Sequence, residues 1–445
     1  MRKRTAAAVV LIAALVVAAA AAARNVHGTA PARNAAPTKL TVWAGWSAGH
    51  ELKVFKSVVA EYDKKHPEVT INVVGGIDDN KIVAAIRSGT APDVVSSFNS
   101  YNVGNYCGTG GWIDLAPLMK KDHIDASMFP PAPRYYTQYQ GKRCALPLLA
   151  DDYGLYYNKK LFKAAGITRP PHTLSELAAD AKKLTVRDKS GKISVAGFDP
   201  VVGFYENTPD RWIQAYGAKW LDAKGNSAIG SDPGWAKWAK WMKSLIDWYG
   251  YDKLGRFQAQ PIDEFTPSQA FETGKLAMNF DGEWRVAFIH NEHPDLDYGT
   301  APMPVDDAHP ELYGSGYING TIIGIPRGVK HEDQAWALVK YLTTADHPLA
   351  VLSNGLRNVP TTQSSLTSKE IVPDKHFSTF LKIFAHAKSG TSPILASGQA
   401  YTNSVQRFFQ QWQAGKVKDL QAGLKNLAKQ LDAQVAQAKG GGGVP

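Results

Sequence analysis

Four carboxylates stand in pairs where a strand pattern is interrupted: Asp151 with Asp152, and Asp281 with Glu283 around Gly282. Glycoside hydrolysis needs two carboxylates about 5 to 10 Å apart, so a secreted glycoside hydrolase is one reading of these residues. On a persistent strand, however, adjacent side chains point to opposite faces, and Asp151 and Asp152 cannot both reach one bond. Asp281 and Glu283 are equally accounted for by turn chemistry around the glycine. No G-x-S-x-G, H-E-x-x-H or G-x-x-x-x-G-K-[ST] occurs, and the histidines are dispersed without metal-ligand pairing. The other chemistry within reach is recognition. Sugars stack C–H faces on aromatic rings and pair their hydroxyls with carboxylates, amides and guanidinium groups. Trp46 sits in a glycine-containing loop where backbone can approach a ligand, whereas Trp43, on the strand before it, reads as core.

The elements that must position these groups are legible in outline. Residues 146–149 are apolar, Asp151 and Asp152 break the run, and Tyr153, Leu155 and Tyr157 then alternate in strand fashion. Asn158 can cap a short helix over 159–165, Gly166 ends it, and Thr173 with Glu176 forms a capping box after Pro170 and Pro171. Upstream, strands at 39–43, 69–73 and 94–98 alternate with helices that bury Leu52, Phe55, Val59 and Tyr62, then Ile82, Ala85 and Ile86. That β-α-β-α-β order predicts a parallel or mixed sheet with helices on its faces. Downstream, a helix over 233–249 places Trp235, Trp238, Met242, Leu245 and Trp248 on one apolar face, read as core, with Trp241 to the side. Thr266, Pro267 and Gln269 predict another helix start, 276–280 a strand, and 298–304 a return crossing. A strand at 321–325 precedes a helix with Ala335, Trp336, Val339 and Leu342 on one face. A last pair of helices is expected after Pro373, the final one carrying Leu420, Leu424, Leu427, Leu431 and Val435.

The stretch LPLLADDYGLYYNKKLFKAAGITRPPHTLSEL, residues 146–177, resembles the first interdomain crossover of the extracellular solute-binding proteins of ABC importers, in the sugar-binding family of maltose-binding-protein type. TVWAGWSAG at 41–49, SGTAPDVV at 88–95, GKLAMNFDGEW at 274–284, and the later GIPRG and AWALVKYLTT extend the resemblance over nearly the whole chain. It implies an α/β, periplasmic-binding-protein-like fold of two lobes, each with a central mixed sheet flanked by helices, joined by three hinge crossovers. Lobe 1 would comprise 38–149 and 302–372, and lobe 2 would comprise 150–301 and 373–438. The implied function is an extracytoplasmic receptor, not an enzyme, that closes over a mono- or oligosaccharide and delivers it to the permease subunits of an ABC transporter. It would work as a monomer and without a cofactor.

The same resemblance implies ligand contacts. Trp46 and Ser47 match the first loop, Phe98 and Asn99 the end of the third strand, and Asp151, with Asp152 beside it, the acidic position of the crossover. Trp284 matches the stacking tryptophan of the second lobe, Gly314, Gly316 and Tyr317 the glycine-rich return loop, and Arg357 the basic residue near the last crossover. Tyr205, Trp212 and Tyr401 are further matches. Each has a plainer reading: a hinge carboxylate as a cap or ion-pair partner, Trp284 as a core plug, Arg357 as a partner for an Asp. In the first loop the chain departs from the family's charged pair, so the resemblance does not carry maltodextrin specificity with it. A phosphorylated polyol or another polar solute is the alternative within the fold, since glycine-rich loops and Arg357 also suit anions.

Bulk properties agree with an exported two-domain protein. A chain of 445 residues exceeds one comfortable core, and 44% hydrophobic with 20% charged residues is ordinary globular composition. The formal charge is +10, yet Lys and Arg are scattered among acids with no run of five, which speaks against a nucleic-acid partner. Arg2, Lys3 and Arg4 precede an alanine-rich apolar run ending in an A-x-A site near Ala23, so 1–23 reads as a signal peptide and 24–37 as a flexible leader. An uncleaved membrane anchor is the alternative for that run. Cys107 and Cys144 are the only cysteines; in an oxidising compartment they predict a disulfide, with two free buried thiols as the alternative. The tail over 439–445 reads as disordered.

Overall fold

In a computed structural model, which describes residues 36–47 and 49–440, the expected alternation opens the fold. Strands β1 (Thr38–Trp43), β2 (Val69–Val74) and β3 (Val94–Ser97) alternate with the helices His50–Lys65 and Asp79–Ser88. The first helix buries Phe55, Val58, Val59 and Tyr62, a stripe at helical spacing. The second is capped by Asp78, which accepts the Lys81 N–H at 2.8 Å, and is ended by Gly89 at a φ of 68° that suits glycine. β1 pairs in parallel with both β2 and β3.

The chain then enters β4 (Leu146–Asn158), one strand of 13 residues in which all but one are buried. The predicted break at Asp151 and Asp152 is absent, and the strand runs through both. Burial removes the objection that two charges raise, because it pushes both carboxyls toward their neutral forms. A two-stranded hairpin, β5 (Val186–Arg187) and β6 (Ile193–Val195), stands apart. β7 (Met278–Gly282), β8 (Tyr298–Ala301) and β9 (Ile318–Gly324) return to β4. The main sheet runs β2-β1-β3-β9-β4-β7, with β8 also on β4. β9 pairs antiparallel with residues 146–152 of β4, and β7 and β8 pair antiparallel with residues 153–158. β4 is therefore common to two halves of a mixed sheet, and residues 151–153 mark their junction. Past β8 the chain stays with the second half, Val305 N–H donating to His172 O at 3.0 Å and Asp306 N–H to Ala215 O at 3.0 Å, before β9 joins the first.

Local signals between these strands act as read. Asn158 caps the helix Lys159–Ala164, and Thr173 caps Leu174–Leu184 by accepting the Glu176 N–H at 3.3 Å. The Glu176 carboxylate reaches back over the cap and accepts the His172 N–H at 2.7 Å. Three expectations give way. Residues 266–275 form turns, because the Gln269 side chain accepts the Phe271 and Glu272 N–H groups that a helix would direct elsewhere. Trp248 is 41% exposed, with the Lys182 and Arg187 cations over its ring, while Trp235, Trp238, Met242 and Leu245 are buried. Three helices, not two, follow Pro373: Phe377–Ala385, Gln399–Gln413 and Leu420–Lys439. The last turn of the final helix occupies the start of the expected tail. The signal segment, all but the end of the leader, and residues 441–445 of the tail lie outside the described residues. A disulfide joins Cys107 to Cys144, with their Cα atoms 5.6 Å apart, tying the helix Val103–Gly108 to the entry of β4.

Candidate functional site

The pleat of β4 sorts the hinge acids. Asp151 and Tyr153 share one face, Asp152 takes the other, and the register with β9 sets Asn319 opposite Asp151 and Thr321 opposite Leu149. Asp151, Tyr153, Asn319 and Thr321 thus form the floor of a cavity of about 330 Å3, a volume within the range of small-molecule sites. Tyr153 donates its hydroxyl to Asn319 Oδ1 at 3.1 Å, which fixes both side chains. Asp152 lies against the backbone of Phe384, away from the cavity.

The walls come from loops at strand ends. Gly45, Trp46 and Ser47 follow β1, Phe98 and Asn99 follow β3, and Trp284 follows β7. Trp46 packs on Phe55 at 4.9 Å and edge-on against Phe98 at 5.5 Å between ring centroids. A Cβ on Gly45 would meet the Phe98 ring at 2.5 Å, so glycine is what lets that ring lie over the loop. Trp284 meets Tyr153 edge-to-face at 5.5 Å, its Nε1 has no hydrogen-bond partner, and a Cβ on Gly282 would strike its ring at 2.2 Å. Asn99 is held by Asp79 and by the Tyr101 hydroxyl at 2.6 Å. Phe265, 55% exposed and packed on Phe288 at 5.8 Å, also lines the cavity.

Charge in the cavity is paired or suppressed. Arg211 ion-pairs with Glu206 at 2.5 Å and lies over the Tyr153 ring at 4.3 Å. Burial alone would weaken its hold on the proton, but attraction by Glu206, Tyr153 and Asp210 outweighs it, and the guanidinium stays charged. Burial pushes Asp151 up to about 7, against a hydrogen bond from Asn358 that lowers it. Asn358 Nδ2 donates to Asp151 Oδ1 at 2.7 Å and to Glu283 Oε1 at 2.8 Å. Burial also pushes Glu51, at the head of the first helix, up to about 7, with Arg285 opposing. The site offers aromatic faces, amides, a hydroxyl and carboxyl groups at fixed positions. These are partners for hydroxyl-bearing rings.

Six of the residues singled out from sequence line the cavity together: Trp46, Ser47, Phe98, Asn99, Asp151 and Trp284. The others lie outside it. Tyr205, at a φ of 50°, stacks on Phe204 at 4.0 Å and donates to Ile262 O at 2.5 Å. Trp212 is core, packed on Phe280 at 5.2 Å. Gly316 sits close under Ile383, Gly314 near His386, and Tyr317, bonded to Ser392 at 3.0 Å, backs Tyr153. Arg357 ends the helix Asp346–Leu356 at a φ of 62° and donates to Val372 O at 2.9 Å. Tyr401 is buried and donates to Ser227 Oγ at 3.1 Å. The residues that sequence reasoning missed include Glu206, Arg211 and Asn358, each next in the chain to one it chose. A signal existed for two of them, since Glu206 and Arg211 are opposite charges in a weakly charged stretch.

Comparison with known proteins adds an independent line. Residues 48–347 match the family model of the bacterial extracellular solute-binding proteins. The maltotriose-binding protein of Pyrococcus abyssi is 25% identical over 354 residues, covering 78% of this chain and 72% of that one. The solved structure of CpMnBP1 with mannotriose bound is 27% identical, with a TM-score of 0.79 over 88% of this chain and 100% of that one. The GacH receptor of Streptomyces glaucescens, 20% identical with a TM-score of 0.72 over 90% of this chain and 99% of that one, shares the fold.

Proposed function

The chain belongs to the bacterial extracellular solute-binding proteins, and we infer from that premise that its ligand is a sugar, taken up as a mono- or short oligosaccharide for delivery to an ABC transporter permease. Its fold is the mixed α/β fold of periplasmic binding proteins. The observation that carries the sugar reading is the cavity at the junction of the two sheet halves. Trp46 and Phe98 reach it from one half, Trp284 and Arg211 from the other, with Asp151 between them. The names of the relatives, maltotriose-binding and mannotriose-bound, support oligosaccharides as the first ligands to try.

In this reading the expected boundary at 302 moves to the start of β9, so that the lobes are 38–149 with 318–372 and 150–317 with 373–438, and they close about β4 and its neighbours. A sugar that touches both lobes stabilises the closed state and shifts the population toward it. The receptor is exported, resides in the periplasm or at the cell surface, acts as a monomer and has no nucleic-acid partner. An anionic solute fits less well, because Arg211 is already matched by Glu206 while Glu51 and Asp151 add carboxyl groups. Hydrolysis is also less well supported: of the four paired carboxylates only Asp151 lines the cavity.

A thermal-shift screen with mannobiose, mannotriose, maltotriose, monosaccharides and sugar phosphates tests the reading. A true ligand at 100 times its Kd adds about 2.7 kcal/mol of stability. Asp151→Ala removes the shift while the ligand-free protein still folds. No shift with any sugar, or turnover of aryl glycosides that is lost in Asp151→Ala, overturns the proposal.

A further inference from the structure

Glu283 lies behind the cavity floor, fully buried and absent from its lining. Three separate segments meet there. Asp151 comes from the middle of β4, Glu283 directly follows β7, and Asn358 is set beside Asp151 because Val359 exchanges both backbone hydrogen bonds with Ala150, at 2.8 and 2.9 Å. The two N–H groups of one amide are shared between two carboxyls, 2.7 Å to Asp151 and 2.8 Å to Glu283. The second Glu283 oxygen accepts the Asp152 backbone N–H at 2.9 Å. Two ionised carboxylates cannot be held so close in a dry site, and one of them must keep a proton.

Geometry says which. Asp151 faces the cavity, where a ligand hydroxyl can solvate its charge, whereas Glu283 is enclosed by protein. Burial, and then Asp151 and Asp152, push Glu283 well above the carboxylate range; burial raises Asp151 too, but there the Asn358 amide, Arg211 and Glu283 all act to lower it. The other ionisable groups facing the pair are Glu206 and Arg211 from the opposite wall, Asp152 from the same strand, and the hydroxyls of Tyr136, Tyr153 and Tyr156. Arg211 favours the ionised form of Asp151, and its ion-pair partner Glu206 opposes that effect.

We propose that Glu283 is the positioning residue of this site: as a neutral acid clamped by Asn358, it keeps its proton, hydrogen-bonds through it to Asp151, and so fixes the Asp151 carboxylate as the acceptor for a sugar hydroxyl. This rests on the sugar-receptor reading above. It makes affinity depend on pH through Asp151, with binding tightening as pH rises through the region where Asp151 loses its proton. Glu283→Ala removes the donor and moves that transition to higher pH. Glu283→Gln, with its oxygen kept on the Asp152 N–H, supplies an amide N–H in place of the lost proton and keeps the transition, at the cost of the Asn358 hydrogen bond to Glu283.

The test is titration with mannotriose from pH 5 to 9 for wild type, Glu283→Ala, Glu283→Gln and Asp151→Asn. Glu283→Ala is expected to weaken binding about tenfold near neutral pH, equivalent to about 1.4 kcal/mol, and much less at pH 9. Glu283→Gln stays within a few-fold of wild type throughout, and Asp151→Asn flattens the profile. A parallel arm follows the melting temperature of each variant against pH without sugar. There the wild-type stability lost as Asp151 ionises shifts to higher pH in Glu283→Ala and not in Glu283→Gln. Mannotriose failing to bind while this arm behaves as stated sinks the receptor reading and leaves the proton assignment standing. An equal loss at every pH in Glu283→Ala, or identical behaviour of the Ala and Gln variants, overturns the assignment.

Discussion

The Arg211 guanidinium lies 4.3 Å from the centroid of the Tyr153 ring, so that a residue of the short helix Pro209–Ile213 is stacked on the strand that both sheet halves share. With Glu206 at 2.5 Å on its other side, the cation is both neutralised and oriented. Arg211→Met leaves Glu206 buried without its partner, which costs about 3 kcal/mol, whereas Arg211→Lys keeps the charge and loses the planar stacking, about 1 kcal/mol. Melting temperatures are expected in the order wild type, Lys, Met. A Met variant as stable as wild type removes the pair from the list of forces holding this wall.

Stability should peak on the acidic side. Burial pushes the carboxyls of Asp151, Asp199 and Glu51 up to about 7 from 3.8, 3.8 and 4.5. A folded value above the unfolded one means the contribution is fully present below the unfolded value and is lost as pH rises through the folded one. Glu176 works the other way. Hydrogen bonds from Arg169 and the His172 backbone hold it near 2, so its contribution is present above 4.5 and is lost as pH falls through about 2. The sugar-free melting temperature is therefore expected to be highest near pH 4, where the raised carboxyls are still protonated in both states and Glu176 already contributes, and to fall toward pH 8, more gently in Asp151→Asn and Glu51→Gln. A curve that rises from pH 5 to 8 contradicts the burial assignments.

What could be read from the chain alone follows from how local each signal is. The caps at Asn158 and Thr173 and the left-handed ending at Gly166 involve neighbours within four residues, and all are present. The unbroken β4 could not be read, because what admits Asp151 and Asp152 to a strand comes from far away: β9, Asn358 and Glu283. The site divides in the same way. Trp46, Phe98 and Trp284 stand in loops at strand ends, where an aromatic is visible as a candidate face. Tyr205, Trp212 and Arg357 are what the resemblance points to, yet in each case it is the adjacent residue that lines the cavity: Glu206, Arg211 and Asn358. Asn319 and Thr321 carry no local sign at all, since only the register of β9 on β4 decides which face they share.

The Cys107–Cys144 bond closes a loop with a sequence separation of 37 and anchors the strand that carries Asp151. In the chain-entropy account, a loop of this length contributes about 4 kcal/mol by restricting the unfolded chain. Cys107→Ser with Cys144→Ser is expected to lower the melting temperature by several degrees while leaving sugar affinity nearly unchanged, because neither residue lines the cavity. A thiol-reactive label that modifies the untreated native protein would show that the bond is not formed.

Trp284 presents an indole N–H with no partner and a ring that stands edge-on to Tyr153. The ring lines the cavity and is available to a sugar for stacking, while the N–H is enclosed. Trp284→Ala should cost at least 2 kcal/mol of binding, about 30-fold in Kd, and Trp284→Phe, which keeps a smaller face, roughly half of that free energy. Calorimetric titration of the three proteins with mannotriose distinguishes these outcomes. Equal affinity across them would move the stacking role to Trp46 or Phe265.

Gly45→Ala probes the opposite wall with one methyl group. The new Cβ would stand 2.5 Å from the Phe98 ring, too close for any real contact, so that ring must leave its place beside Trp46. Phe98 is 39% exposed and can swing toward solvent, so the cost to folding should stay below about 1 kcal/mol. The cost to binding should be larger, about three- to tenfold, because a sugar loses one aromatic face and the cavity mouth changes shape. Melting temperature and mannotriose affinity measured on the same preparation give the comparison. If stability falls and affinity does not, Phe98 closes a core rather than receives a ligand.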